Sequence, residues 1–196
     1  MAKVLPKEKM DVDTFIAWAM EQDTGRYELV GGEIIAMSPE RVDHVRAKAD
    51  IWLALRNAIC DADLPCEAFI DGVGVRINEH TYYEPDAFVR CGEPLDGNVV
   101  EADDPIIIVE VLSPSTRNID TGLKLTGYFR LPSLRHYLVI NTEDRRTIHY
   151  QRDEVGEIHM AILPADARLM LDPPGIHITL ADAFQSLPKR PNTDLD

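Results

Sequence analysis

Glu110 is the residue that fits its surroundings least. It stands inside Pro105–Leu112 (PIIIVEVL), a nearly continuous apolar run that reads as a strand buried on both faces. An ionised carboxylate in such a place needs a cation or a hydrogen-bonded mate. Two neighbours could supply one. Pro85-Asp86 opens another strand candidate at residues 84–91. Asp120, Lys124 and Tyr128 recur at i, i+4 and i+8, which places them on one face of a helix candidate. Two carboxylates are hard oxygen ligands that suit Mg²⁺, which keeps several waters and adds substrate phosphate oxygens. Such an ion lowers the pKa of a bound water, and a nearby ammonium stabilises growing negative charge. Together these groups are the minimum equipment for hydrolysing a phosphodiester. Each also has a plainer reading. Glu110 could mark an exposed strand end or pair with a core Arg, Pro-Asp is a common strand entry, and Asp120 with Lys124 could be a solvated pair.

The elements that must position these residues follow from hydrophobic period and turn residues. Residues 11–22 predict a short amphipathic helix capped by Asp11 or Asp13, with Phe15, Ile16 and Ala19 at helical spacing. Residues 27–37 predict a hairpin around Gly31-Gly32. Residues 41–62 predict a longer helix with an apolar face of Val45, Ala49, Trp52, Leu53, Leu55 and Ile59. Residues 66–77 read as strand interrupted by glycines. A helix over 119–131 follows the Ser113-Pro114-Ser115 turn and is closed by Pro132. Strands are expected at 136–141 and 146–152, with edge strands at 156–163 and 168–171 and a short helix at 179–184. The pattern fits an α/β fold with a mixed sheet flanked by helices. The segment 106–137 could form a βαβ crossover, whose helix would return one face to the carboxyl end of the Glu110 strand. One domain over residues 1–188 and a flexible tail at 189–196 are expected.

The chain has 196 residues and a formal net charge of −14, with 45% hydrophobic and 28% charged residues. That charge argues against a protein that coats nucleic acid, since phosphate binding rests on Lys and Arg. It leaves room for an enzyme that meets DNA at one local surface. Acid concentrates between Glu79 and Glu110, where nine carboxylates face Arg90 alone. The balance reverses at residues 117–135, where Arg117, Lys124, Arg130 and Arg135 face Asp120, so a DNA-facing surface is expected to include that stretch. Cys60, Cys66 and Cys91 are odd in number and lack Cys-x-x-Cys spacing, which predicts free thiols, no zinc site and a reducing compartment. No apolar run approaches the roughly 20 residues that span a bilayer, and the N-terminus has no apolar signal region. The expectation is a cytoplasmic protein that makes no membrane contact.

The combination E110-V-L-S-P-S-T, D120-x-x-x-K124-x-x-x-Y128 and HYLVIN resembles the Uma2 (Uma-two) family of endonucleases, within the PD-(D/E)XK, or restriction-endonuclease-like, superfamily. YELVGGEIIAMSP, His44 and E84-P85-D86-A-F-V match the same pattern. The resemblance implies a restriction-endonuclease-like mixed sheet and Mg²⁺-dependent cleavage of DNA, with Mn²⁺ as a substitute. It also implies Asp86 and Glu110 as metal ligands, with the Val111 carbonyl as a third, and a homodimer that cuts both strands. Leu112 stands where the strict superfamily pattern has lysine, so the resemblance assigns that charge to Lys124. Glu33 and His44 are further candidates near the site, with Asp120 and Tyr128 as supporting groups. Two other functions stay open: a non-catalytic interaction module that retains the fold, and a metal-dependent hydrolase of another phosphoester such as a nucleotide.

Overall fold

The computed structural model describes residues 9–112 and 120–188. Helix α1 (Val12–Met20) is capped by Asp11, whose Oδ1 accepts the Thr14 N–H at 2.7 Å. It leads into the hairpin of β1 (Tyr27–Val30) and β2 (Glu33–Ala36). Gly31 and Gly32 both have positive φ, 59° and 90°, as a tight two-residue turn between twisted strands requires.

Helix α2 (Val42–Asp61) follows, then β3 (Cys66–Ile70), β4 (Gly74–Asn78), β5 (Thr81–Tyr83) and β6 (Ala87–Cys91). Next come β7 (Glu101–Ala102), β8 (Pro105–Leu112), α3 (Asp120–Tyr128), β9 (His136–Asn141), β10 (Arg146–Arg152) and β11 (Ile158–Leu163). The described chain ends in β12 (Arg168–Leu171), β13 (Ile176–Thr179) and a 3-10 helix, Leu180–Phe184. The main sheet has the order β11-β10-β9-β8-β6-β3, and a second sheet has the order β2-β1-β5-β4-β7. Strands β8 and β9 pair in parallel on either side of α3, so the predicted crossover is present.

Alternation along β8 sends Ile107, Val109 and Val111 to one face, where they pack with α2, β12, β13 and the 3-10 helix. Ile108 points to the other face, among Tyr83, Tyr128 and Tyr137. Glu110 shares the parity of Ile108 and so points towards α3. Close approach of α3 depends on Gly127, because a Cβ there would stand 2.7 Å from the Tyr83 ring. On β11, Ile158, Met160 and Ile162 are about half exposed along the outer edge of the main sheet.

Several expectations need correction. The buried line of α2 is Ala47, Lys48, Ile51, Leu55 and Ile59, while Val45 and Leu53 are exposed. A polar residue, Lys48, occupies the position where the apolar period should have continued. Residues 168–171 do not extend the main sheet; β12 pairs with β13 in a separate ladder whose apolar side closes the core. The short strands β5, β7 and β13 carry too little pattern to be read from sequence. The turn at 113–115, Arg117 and the tail at 189–196 lie outside the described residues.

The expectation of free thiols is overturned for two of the three cysteines. Cys66 and Cys91 form a disulfide, and only Cys60 is free. The two residues are 25 apart in sequence yet stand directly opposite each other in the β3–β6 register, which spacing alone could not reveal. Thiol titration of the non-reduced, denatured protein is expected to find one reactive thiol per chain. Reduction should cost about 3 kcal/mol of stability, the loop-closure value for a ring of this size. Three reactive thiols without reductant would contradict the pairing.

Candidate functional site

The site lies where β6 begins and β8 ends. Ala87 pairs with Val109, so Asp86, just before β6, lies at the end of the ladder next to Glu110 in β8. Asp86 is 5% exposed, and its two oxygens face different ways. Oδ2 accepts the Val111 N–H at 2.7 Å, and Oδ1 lies 3.1 Å from His44 Nε2 on α2. Burial pushes the Asp86 carboxyl up, but His44 and the Val111 amide outweigh it and hold the group below the usual carboxylate range.

Glu110 Oε1 accepts from Lys124 Nζ at 3.1 Å and from the Tyr128 hydroxyl at 2.6 Å. One turn of α3 separates those donors, as the i, i+4 spacing predicts. Burial is the largest influence on Glu110 and raises its pKa to about 7. Lys124 opposes that shift, while Asp86 and Glu28 add to it. Lys124 is itself buried, with Nζ also 2.9 Å from Glu28 Oε1 on β1. Burial disfavours its charge, but the two carboxylates prevail and raise its pKa well above the ordinary value. The Tyr128 hydroxyl is pushed well up by burial and by Glu110, so it stays protonated and donates.

One candidate falls elsewhere. Glu33 is exposed at the start of β2, and no described contact joins it to Asp86, Glu110 or Lys124. Asp120 opens α3, but its side chain lies outside the described residues. Val111 touches Asp86 through its N–H, where a carbonyl ligand was expected.

Sequence reasoning missed a second group of charges. Lys48 is 2% exposed and lies 2.6 and 2.5 Å from the two oxygens of Glu40, 2.6 Å from Asp71 Oδ2 and 3.9 Å from Asp86 Oδ1. Arg26 joins Glu84, Glu40 and Asp71. Glu28 Oε1 also accepts the Glu84 N–H at 2.9 Å, which ties the two halves together. A signal was present. Glu40, His44 and Lys48 have the same i, i+4, i+8 spacing as Asp120, Lys124 and Tyr128.

The cluster holds six carboxylates, Glu28, Glu40, Asp71, Glu84, Asp86 and Glu110, against the permanent cations Arg26, Lys48 and Lys124. The surplus is negative even if His44 is charged. Asp71 Oδ1 is buried without a hydrogen-bond partner among the described residues. Surplus charge and an orphaned acceptor suit a hydrated divalent cation. The expected basic surface is absent from the described part of residues 117–135: Lys124 is internal, Arg135 binds the Asp153 carbonyl, and Arg130 is left exposed.

Comparison with known proteins places the chain among relatives. The uncharacterized Synechocystis protein sll1609 is 32% identical over 135 residues, which cover 67% of this chain and 75% of that one. A second uncharacterized Synechocystis protein, slr1290, is 26% identical over 184 residues, covering 93% and 95%. A crystal structure from Anabaena variabilis, described as a "putative nuclease belonging to DUF820", superposes with a TM-score of 0.71. The two share 15% identity over 90% of this chain and 98% of that one, which shows a common restriction-endonuclease-like fold. The family model described as "Putative restriction endonuclease" matches residues 12–181, and the chain therefore belongs to the Uma2 family.

Proposed function

We propose that the chain is a Mg²⁺-dependent endonuclease that hydrolyses DNA phosphodiester bonds. The observation that carries this reading is Glu110, a mostly enclosed acid with one oxygen held by Lys124 and Tyr128, whose neighbour Val111 donates its N–H to Asp86. Asp86 and Glu110 would hold the ion, with Mn²⁺ able to replace Mg²⁺. When bound, the ion would polarise a scissile phosphate and generate a hydroxide-like water at neutral pH. The Lys124 ammonium, fixed between two carboxylates, would stabilise charge on the phosphate oxygens. Tyr128 would keep Glu110 Oε1 oriented through its short hydrogen bond.

DNA is the proposed partner, in the cytoplasm. Among the described residues no helix is long and apolar enough to cross a membrane. The homodimer belongs to the same reading, and the unpaired outer edge of β11 offers one surface for it. A specific observation favours the rival, a non-catalytic module: Lys124 sits in ion pairs with both Glu28 and Glu110, as a structural cation would.

The deciding assay offers duplex DNA, single-stranded DNA, RNA and nucleotides to the full chain with Mg²⁺ or Mn²⁺. Cleavage of duplex DNA is expected, abolished by chelation and by Asp86→Asn or Glu110→Gln. Hydrolysis of nucleotides alone would reassign the substrate. Metal binding that depends on Asp86 and Glu110, with no cleavage of any substrate, would favour the module.

A further inference from the structure

Asp86 presents two oxygens in two directions, and the proposed pair of carboxylates uses one of them. Oδ2 lies on the β8 side, against the Val111 N–H, and Oδ1 turns to the α2 side, towards His44. On that side Glu40, His44 and Asp86 each offer a donor atom, and all three atoms lie within 4.8 Å of one another. His44 stands in the first turn of α2, Glu40 just before that helix and Asp86 just before β6, and Lys48 on α2 holds the Glu40 carboxylate, so the set is fixed at the ends of two regular elements.

Charge distinguishes this group from a solvated acidic patch. Glu40, Asp71, Glu84 and Asp86 are four carboxylates, matched by Arg26 and Lys48. With His44 neutral, as a metal-bound imidazole is, the surplus of two negative charges equals the charge of one divalent ion. Lys48 holds both Glu40 oxygens and fixes the carboxylate in place. Arg26 binds Oε1, so Oε2 has the freer lone pair. The orphaned Asp71 Oδ1 beside Lys48 could accept from a water on such an ion. His44 Nε2 and Asp86 Oδ1 stand 3.1 Å apart, close to the roughly 3 Å between neighbouring ligands each about 2.1 Å from one metal.

We infer that Glu40, His44 and Asp86 form a mixed nitrogen–oxygen site for a first-row transition dication, with His44 Nε2 as a direct ligand. This rests on the reading of Asp86 as a metal ligand. It adds a selectivity that two carboxylates alone would lack: imidazole suits transition metals, whereas Mg²⁺ favours all-oxygen shells. The site would take Mn²⁺ in preference to Mg²⁺, and Asp86 would be shared between it and the Glu110 side.

The probe is Mn²⁺ on the full chain, read by electron spin-echo envelope modulation, which detects a coordinated imidazole nitrogen whether or not the protein is active. The nitrogen signal is expected in the parent and in His159→Gln, which disables the exposed Asp153–Glu157–His159 cluster. It should vanish in His44→Gln. Circular dichroism verifies the fold of that variant, and His44→Asn serves as a second one. His44→Gln should also weaken Mn²⁺ by about tenfold or more while leaving Mg²⁺ within about twofold. Bound Mn²⁺ that depends on Asp86 but shows no nitrogen signal would overturn the inference and leave the carboxylate reading intact. A signal that survives His44→Gln would overturn it too. Absence of Mn²⁺ binding would remove both the inference and the reading beneath it.

Discussion

Glu110→Gln is expected to make the metal-free protein more stable at pH 8 and to abolish metal-dependent cleavage. The folded protein holds the Glu110 proton up to about pH 7, against an ordinary value of 4.5. Between those values the folded state keeps a proton that the unfolded chain has lost. The stabilising contribution of this group is therefore whole below about pH 4.5 and is lost as pH rises through about 7. A shift of that size corresponds to about 3 kcal/mol. Glutamine does not titrate, so the variant should not show this decline. Part of the gain is offset because Lys124 and Tyr128 lose a charged acceptor, although Lys124 keeps Glu28. The net expectation is a gain of roughly 1–2 kcal/mol at pH 8, or about 2–8 °C in Tm for a chain of this size. At pH 5 the two proteins should melt closer together. Mg²⁺ should raise the Tm of the parent and not of the variant. A loss of several kcal/mol without metal would make Glu110 half of a structural ion pair and end the metal-ligand assignment.

The sequence revealed β8, β9, β10 and the α3 crossover because each has a strong period or a continuous apolar run. Glu110 was conspicuous for the same reason: it interrupts such a run. Its helix partners were legible from spacing, since Lys124 and Tyr128 do meet one oxygen of Glu110. Lys48 escaped because a buried lysine looks like surface in any hydrophobicity pattern, and it displaced the inferred face of α2. Glu28 and Glu84 were hidden by their position in short strand segments where polar residues normally face solvent. Both are buried only because β1 packs beside β5 and brings Glu28 to the Glu84 backbone. That pairing depends on contacts distant in sequence, as does the register that joins Cys66 to Cys91. Local pattern thus located the strand with the unusual acid. The further acids beside it, Glu28 and Glu84, could be seen only after the two sheets were assembled.

Lys124→Ala should have two separable effects. The first is on stability. Nζ bridges Glu28 and Glu110, and the residue is 8% exposed, so alanine leaves the buried Glu28 and the mostly enclosed Glu110 without their cation. Removing one partner of a buried pair costs about 3–5 kcal/mol. Proton uptake by Glu110 should limit that loss in acid, because Lys124 is the main group holding its pKa down. The deficit is therefore expected to be larger at pH 8 than at pH 5. Saturating Mn²⁺ should recover part of it by replacing the missing positive charge. The second effect is on rate. A protonated amine is a poor metal ligand, so Mn²⁺ affinity at pH 8, measured by calorimetry on the folded variant, should remain within a few-fold of the parent. Loss of a donor that stabilises transition-state charge typically lowers rate by about 10²–10³. Cleavage assayed well below the melting temperature of the variant separates the two effects. A variant that is destabilised but cuts DNA at the parent rate would make Lys124 a structural cation. The nuclease reading would then need another group, and Lys48, 3.9 Å from Asp86 Oδ1, would be the next to test.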